Sequence, residues 1–304
     1  MTDTPTDYLD PRVLNKVGRL ELRARLVVEG FVTGMHKSPY RGFSVEFAQH
    51  REYVAGDDLR HLDWKILGKS DRLVIKQYEE ETNLRAHLVL DQSESMNYGH
   101  DGGMAKFDYA ATACASLAYM IQQQADAVGL TLFDEDVAKQ LPPSNTRAGL
   151  GNLFHALEQA RARNKKTKVG AVLHQLATQL RQRGMVMIFS DLFDEPDAVV
   201  RGLRELASRG HDVVVFHVLD RDEVEFPFER MTLFEGLEQM PELLCDPQSL
   251  RDAYLAEIEG FAEAIRKGCL QQRIDYVRVV DSMPLDVVLT SYLSARAART
   301  KRRK

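Results

Sequence analysis

The sequence lacks most of the features that would tie it to a secreted, metal-stapled or membrane-spanning protein. Its 304 residues include only three cysteines, Cys114, Cys245 and Cys269, far apart and with no C-x-x-C pair. That argues against a disulfide framework or a cysteine zinc site and fits a reducing compartment. No apolar run approaches the roughly 18 residues that a bilayer crossing needs. The longest runs, Val213–Leu219 and Met185–Phe189, have the length of strands. The amino terminus, MTDTPTDYLD, is acidic and polar, unlike a signal peptide. A soluble, cytoplasmic protein without a membrane span is therefore expected. A basic excess is missing too: 40 Lys and Arg stand against 45 Asp and Glu, a formal net charge of −5. The chain as a whole is not built for nucleic acid.

Enzyme signatures are also absent. There is no H-E-x-x-H, G-x-S-x-G or G-x-G-x-x-G. Gly68-Lys69-Ser70 looks like the end of a phosphate-binding loop, but Asp63 stands where the leading glycine belongs. A phosphatase D-x-D pattern would need Asp where Ser93 stands. The nine histidines are scattered without ligand spacing and read as structural or surface residues. No internal repeat is apparent.

What the chain does have is an alternation of short apolar runs and helical periodicities. Pro11 to Gly30 carries apolar residues at broadly helical spacing and reads as one amphipathic helix, followed by a glycine-bearing loop from Gly30 to Ser44. Strands are predicted at 73–78, 86–91, 128–133, 185–190, 212–219 and 275–280, with a short edge strand at 137–141 ended by Pro142-Pro143. Helices are predicted at 104–124, 150–161, 169–180, 197–208, 249–269 and 285–295. Residues 223–247 break the rhythm and read as a hairpin insertion. Such alternation implies an α/β fold: a doubly wound, mostly parallel sheet with helices on both faces. The expected division is an N-terminal extension at 1–82, the α/β domain at 83–297 and a basic tail at 298–304.

One strand ends in a chemical pattern. Leu88-Val89-Leu90 runs into Asp91, with hydroxyls at Ser93 and Ser95. Ligands of open α/β sheets sit at the carboxyl ends of strands. Oxygen-only donors suit a hard cation, Mg²⁺ first and Mn²⁺ second. Asp191, at the end of its own apolar run, belongs on the same edge. Each Asp also has a plainer reading, as the cap of the next helix. The Asp91-x-Ser93-x-Ser95 pattern resembles the metal-ion-dependent adhesion site of von Willebrand factor A domains. The resemblance implies a site built from Asp91, Ser93, Ser95 and Asp191, the last binding through water. That family adds a Thr about five residues ahead of an Ala-Leu pair. Ala156-Leu157 puts Gly151 at that offset, and the nearest threonine, Thr146, lies about five residues too early.

A second stretch is more specific. Arg51 to Lys65 packs charges of both signs around Tyr53, Leu59, Leu62 and the only tryptophan, Trp64. Such a mixture suggests a paired, partly buried network, although Gly56-Asp57 can equally mark a plain turn. The pattern Tyr53-x-x-Gly56-Asp57-Asp58-x-Arg60-x-Leu62-Asp63-Trp64 resembles the signature of the bacterial domain-of-unknown-function 58 family, in which it precedes a von Willebrand A-like domain. The resemblance covers about residue 40 to the end. It implies a non-enzymatic interaction module, an adaptor or assembly factor working with a MoxR-type AAA+ ATPase and with other von Willebrand A proteins. The alternative from another class is a metal-dependent hydrolase, a phosphatase or nuclease, using Asp91, Asp191 and Asp194 with Asp57, Asp58 or Asp63. Arg296 to Lys304 holds six basic residues in nine. These read as a solvated helix end or as an arm for an acidic partner or nucleic acid.

Overall fold

Buried parallel strands need apolar side chains on both faces, and this chain supplies them in sequence order. The computed structural model describes residues 9–37, 50–52, 73–76, 84–100, 102–162, 168–237 and 242–303. They fall into two compact units, Met1–Gly34 with Leu84–Lys304, and Met35–Asn83. The smaller unit contains an antiparallel pair, β1 (His50–Glu52) with β2 (Val74–Lys76). The signature residues Tyr53, Gly56, Asp57, Asp58, Arg60, Asp63 and Trp64 lie outside the described residues.

The larger unit is built on β3 (Arg85–Asp91), β4 (Ala127–Phe133), β5 (Val137–Ser144), β6 (Met185–Ser190), β7 (Asp212–Leu219) and β10 (Asp275–Val280). They form one six-stranded sheet in the order β10-β7-β6-β3-β4-β5. Every neighbouring pair is parallel except β4–β5. The antiparallel β5 runs on through Pro142 and Pro143 to Ser144 rather than stopping before them. An edge strand tolerates proline because its outer N–H groups have no partner to lose. The register shifts near Gly129, where a Cβ would lie 2.7 Å from the Leu141 carbonyl oxygen. Glycine there permits the close approach of the bulged strand.

Side chains alternate across β3, so Leu88 and Leu90 enter one hydrophobic core and Val89 the other. The first core is covered by α3 (Lys106–Gln123), α4 (Arg147–Gln159) and α9 (Leu285–Arg303). The second is covered by α5 (Val169–Gln179), α6 (Pro196–Ser208) and α8 (Pro247–Gln271). Helix α3 presents mostly small residues, which lets it lie close on the sheet.

Three details differ from the sequence reading. The single helix over 11–30 is two, α1 (Pro11–Leu14) and α2 (Leu20–Lys37), with the break around Gly18, a poor helix former. The second of them continues past Gly30 into the span read as a loop. Leu14, Leu20, Ala24 and Val27 are buried in the first core, so residues 9–34 belong to the α/β unit rather than to a separate extension. The insertion holds a short helix, α7 (Arg221–Glu225), and an antiparallel pair, β8 (Thr232–Phe234) with β9 (Leu243–Cys245). No described helix is long and apolar enough to cross a membrane.

Candidate functional site

Parallel register brings the carboxyl ends of five strands to one edge, and each end is marked by an aspartate. Asp91 closes β3, while Asp134, Asp191, Asp220 and Asp281 directly follow β4, β6, β7 and β10. All five are buried. The chain after β3 turns through a 3-10 segment, Glu94–Asn97, which carries Ser95 back toward Ser93.

Asp91, Ser93, Ser95 and Asp191 meet at this edge. One Asp91 oxygen accepts the Ser93 backbone N–H at 2.9 Å, and the other accepts the Ser190 hydroxyl at 2.6 Å. The Ser93 and Ser95 hydroxyl oxygens stand 3.1 Å apart. Burial, and next the Asp191 charge, push the Asp91 carboxyl up to about 7, against the pull of its hydrogen bonds from Ser190 and Ser93. Asp191 Oδ1 accepts the Phe193 N–H, across a left-handed Leu192 with φ of 59°. A branched residue in that region is strained, and the Ser190 hydroxyl holds the turn by accepting the Leu192 N–H at 2.9 Å.

Two residues that the sequence reading missed complete the cluster. Lys106, with none of its side chain exposed, donates to Asp191 Oδ2 at 2.9 Å and to Glu223 Oε1 at 2.6 Å. Its ammonium also lies 5.0 Å from the Phe193 ring centroid. Burial alone would lower the Lys106 pKa, but the Asp191 and Glu223 charges outweigh it and raise the pKa above the usual lysine range. Burial raises Glu223, and Lys106 opposes that rise. Asp191 and Glu223 thus share one fixed cation, which does not pair with Asp91. The sequence signal was slight, because a lone lysine at the start of a helix reads as surface.

Thr146 is not brought to this site. Because β5 runs antiparallel, Ser144 pairs with Val128 at the start of β4, whereas Asp91 pairs with Phe133 at its end. Thr146 therefore sits at the opposite edge of the sheet, where its hydroxyl caps α4 by accepting the Gly149 N–H at 3.0 Å. Asp194 is also turned away. Its Oδ2 accepts the Gly170 N–H in the first turn of α5, and its Oδ1 accepts the Glu195 N–H.

The remaining donors fit a small hard cation. Two oxygens in adjacent positions on an octahedral Mg²⁺, with bonds of about 2.0–2.1 Å, stand about 2.9 Å apart. The 3.1 Å between the serine hydroxyls is close to that spacing. Asp91 would supply the charge, and Asp191 would stand behind it.

Further along the same edge, His100, Asp220 and Asp281 form a second cluster. His100 Nδ1 lies 3.1 Å from Asp220 Oδ2 and 3.6 Å from Asp281 Oδ2. Burial, and then Asp220, push Asp281 up to about 9.

The model of the protein family of unknown function DUF58 matches residues 49–261. The uncharacterized protein Mb1516 of Mycobacterium bovis is 27% identical over 253 residues, covering 82% of this chain and 78% of the relative. Among solved structures, the conserved hypothetical protein BatB from Bacteroides thetaiotaomicron aligns with a TM-score of 0.50 at 19% identity, covering 71% of this chain and 99% of that one. The VWA domain of SpRpn10 aligns at 0.39 and 12% identity, over 68% and 94% of the two chains. The fold is von Willebrand A-like, and the chain belongs to the DUF58 family.

Proposed function

We propose that the chain is a non-enzymatic interaction module that recognises an acidic side chain of a protein partner through a divalent cation held by Asp91, Ser93 and Ser95. The observation that carries this reading is the convergence of one carboxylate and two hydroxyls at the serine spacing of 3.1 Å. Neutral hydroxyls cancel none of the charge of Mg²⁺, or of Mn²⁺, so with Asp91 as the single bound carboxylate the cation stays net positive and can take a further carboxylate from outside. Asp191 takes the role of a balanced neighbour, since Lys106 already offsets its charge. Asp91 has no such offset and is the group that gains most from a cation.

The partner proposed is a MoxR-type AAA+ ATPase, as the family resemblance implies, and the place of action proposed is the cytoplasm. Hydrolytic chemistry needs more carboxylates around its metals, commonly two metals roughly 4 Å apart. Here Asp194 is committed to the α5 terminus and Asp191 to Lys106. The test is a thermal melt of the EDTA-stripped chain against millimolar Mg²⁺, together with partner capture from a lysate. Mg²⁺ is expected to raise Tm by mass action, and Asp91→Ala to abolish both the rise and Mg²⁺-dependent capture of the ATPase. Phosphatase or nuclease turnover that disappears in a folded Asp91→Asn variant would overturn the reading.

A further inference from the structure

The second cluster on the sheet edge has no part in the site above. Asp220 and Asp281 end adjacent parallel strands, and the loop after the 3-10 turn lays His100 between them. The His100 side chain is 8% exposed and both carboxylates are fully buried. Asp220 is held firmly: its Oδ1 accepts the Asp222 N–H at 2.6 Å and its Oδ2 the His100 N–H at 2.9 Å. Asp281 has a backbone donor on one side only. Its Oδ1 accepts the Arg221 N–H at 3.2 Å, while its buried Oδ2 receives no N–H or O–H donor and faces the Asp220 carboxyl and the His100 ring nitrogen. A buried carboxylate oxygen without a donor is costly unless something positive reaches it. The ring lies close against Gly103, where a Cβ would come within 2.3 Å of His100 Cε1.

We infer that His100 Nδ1, Asp220 Oδ2 and Asp281 Oδ2 form a binding site for a divalent first-row transition ion of the Zn²⁺ type, distinct from the hydroxyl-lined site at Asp91. One nitrogen and two carboxylate oxygens are the donor set such an ion takes, whereas Mg²⁺ prefers oxygen alone. The spacing agrees. Ligand atoms on a tetrahedral ion with bonds of about 2.0–2.2 Å stand about 3.4 Å apart, and the two histidine–carboxylate separations are 3.1 and 3.6 Å. The three ligand atoms all lie within 4.8 Å of one another. Three protein ligands leave the fourth position for water. The bound ion would clip the loop carrying His100 to the ends of β7 and β10. Asp220 is also bonded to Glu223, whose Oε2 accepts the Asp220 N–H at 2.7 Å. The clip would therefore brace the same Glu223 that grips Lys106.

The test is titration of Zn²⁺ alone into the full-length, EDTA-stripped protein by calorimetry, with Co²⁺ as a spectroscopic stand-in. One equivalent of Zn²⁺ is expected to bind wild type and raise Tm, and Co²⁺ to give the intense visible bands of a four-coordinate site. Asp281→Asn and His100→Gln should each weaken zinc binding by more than 100-fold, while Asp91→Asn should leave it unchanged. Zinc binding that is absent in wild type, or equal in the wild type and both variants, would overturn the assignment. So would weak six-coordinate Co²⁺ bands. A higher metal-free Tm in Asp281→Asn, with wild type indifferent to zinc, would show instead that a shared proton joins the two carboxylates. Should one variant fail to fold, the other variant and the wild-type Co²⁺ spectrum decide the matter.

Discussion

Where β3 and β6 end, the protein carries its own permanent cation, Lys106 between Asp191 and Glu223; where β7 and β10 end, it carries an imidazole between Asp220 and Asp281. Both clusters arise from one rule, an aspartate closing each buried parallel strand. They differ in how the burial of charge is compensated. An ammonium stays charged at every ordinary pH, so Asp191 is satisfied at all times. An imidazole is charged only when protonated, so the Asp220–Asp281 pair depends on conditions or on a bound cation. Asp91 lies between these cases, with hydrogen bonds to both oxygens but no cation of its own. The difference separates carboxylates that hold the fold together from carboxylates free to recruit a charge from outside.

The sharpest way to break the comparison is to remove the built-in cation. Lys106→Met leaves Asp191 and Glu223 buried against one another and is expected to cost about 3–5 kcal/mol, the usual penalty for orphaning a buried charge. Urea unfolding midpoints would measure it. Adding Asp191→Asn and Glu223→Gln to the same chain should recover much of that loss, because the orphaned charges are gone. A single variant as stable as wild type would mean that water reaches the ammonium and that the pair is not structural.

Titration sharpens the same contrast. Asp91 is raised to about 7 and Asp281 to about 9, well above the ordinary carboxyl range, in both cases chiefly by burial. A carboxyl whose folded pKa is raised holds its proton better folded than unfolded. Its contribution is full below about pH 4 and is lost as pH rises through the folded value. Stability in EDTA should therefore fall from about pH 4 upward, with each group contributing a slope of at most about 1.4 kcal/mol per pH unit. Asp91→Asn should flatten the part between pH 4 and 7, and Asp281→Asn the part that persists from pH 7 to 9. Added Mg²⁺ should stabilise more at pH 8 than at pH 5, since it competes with the proton on Asp91. Denaturant midpoints across this range check all three expectations. A profile unchanged by either substitution would place both carboxylates in contact with solvent.

Much of this molecule is legible from residues alone, and the unread parts have physical causes. Parallel strands buried on both faces must be apolar throughout, so Leu88-Val89-Leu90 and Met185–Phe189 announce themselves, and the aspartate after each marks the functional edge. The same rule, applied to Val213–Leu219 and Val277–Val280, leads to Asp220 and Asp281, which the sequence reading passed over. Lys106 was invisible for another reason. Helical periodicity assigns charged residues to the solvent face, and it cannot register a cation neutralised by carboxylates 85 and 117 residues away. The break between α1 and α2 was hidden because the apolar spacing of Val13, Leu14, Val17 and Leu20 continues across Gly18. Thr146 was misplaced because it entered only as the threonine nearest to the offset that Gly151 occupies, and residue spacing is blind to the direction of β5.

That misplacement yields the mildest test. Thr146 sits at the far edge of the sheet, where it caps α4 and shares a 2.9 Å hydroxyl contact with Ser144. A lost Thr cap typically costs about 1 kcal/mol, and the exposed position of Thr146 gives no reason to expect more. Thr146→Ala should therefore lower the unfolding midpoint slightly while leaving Mg²⁺ affinity within error. Ser93→Ala should do the reverse, weakening Mg²⁺ at least 10-fold, because it removes one of only three ligand atoms. Each variant removes one hydroxyl, Thr146→Ala together with a methyl, so the contrast tests the position of the hydroxyl. If Thr146→Ala weakened Mg²⁺ as Ser93→Ala does, the cation would have to be bound at the opposite edge. The Asp91 cluster would then be a structural network like that around Lys106.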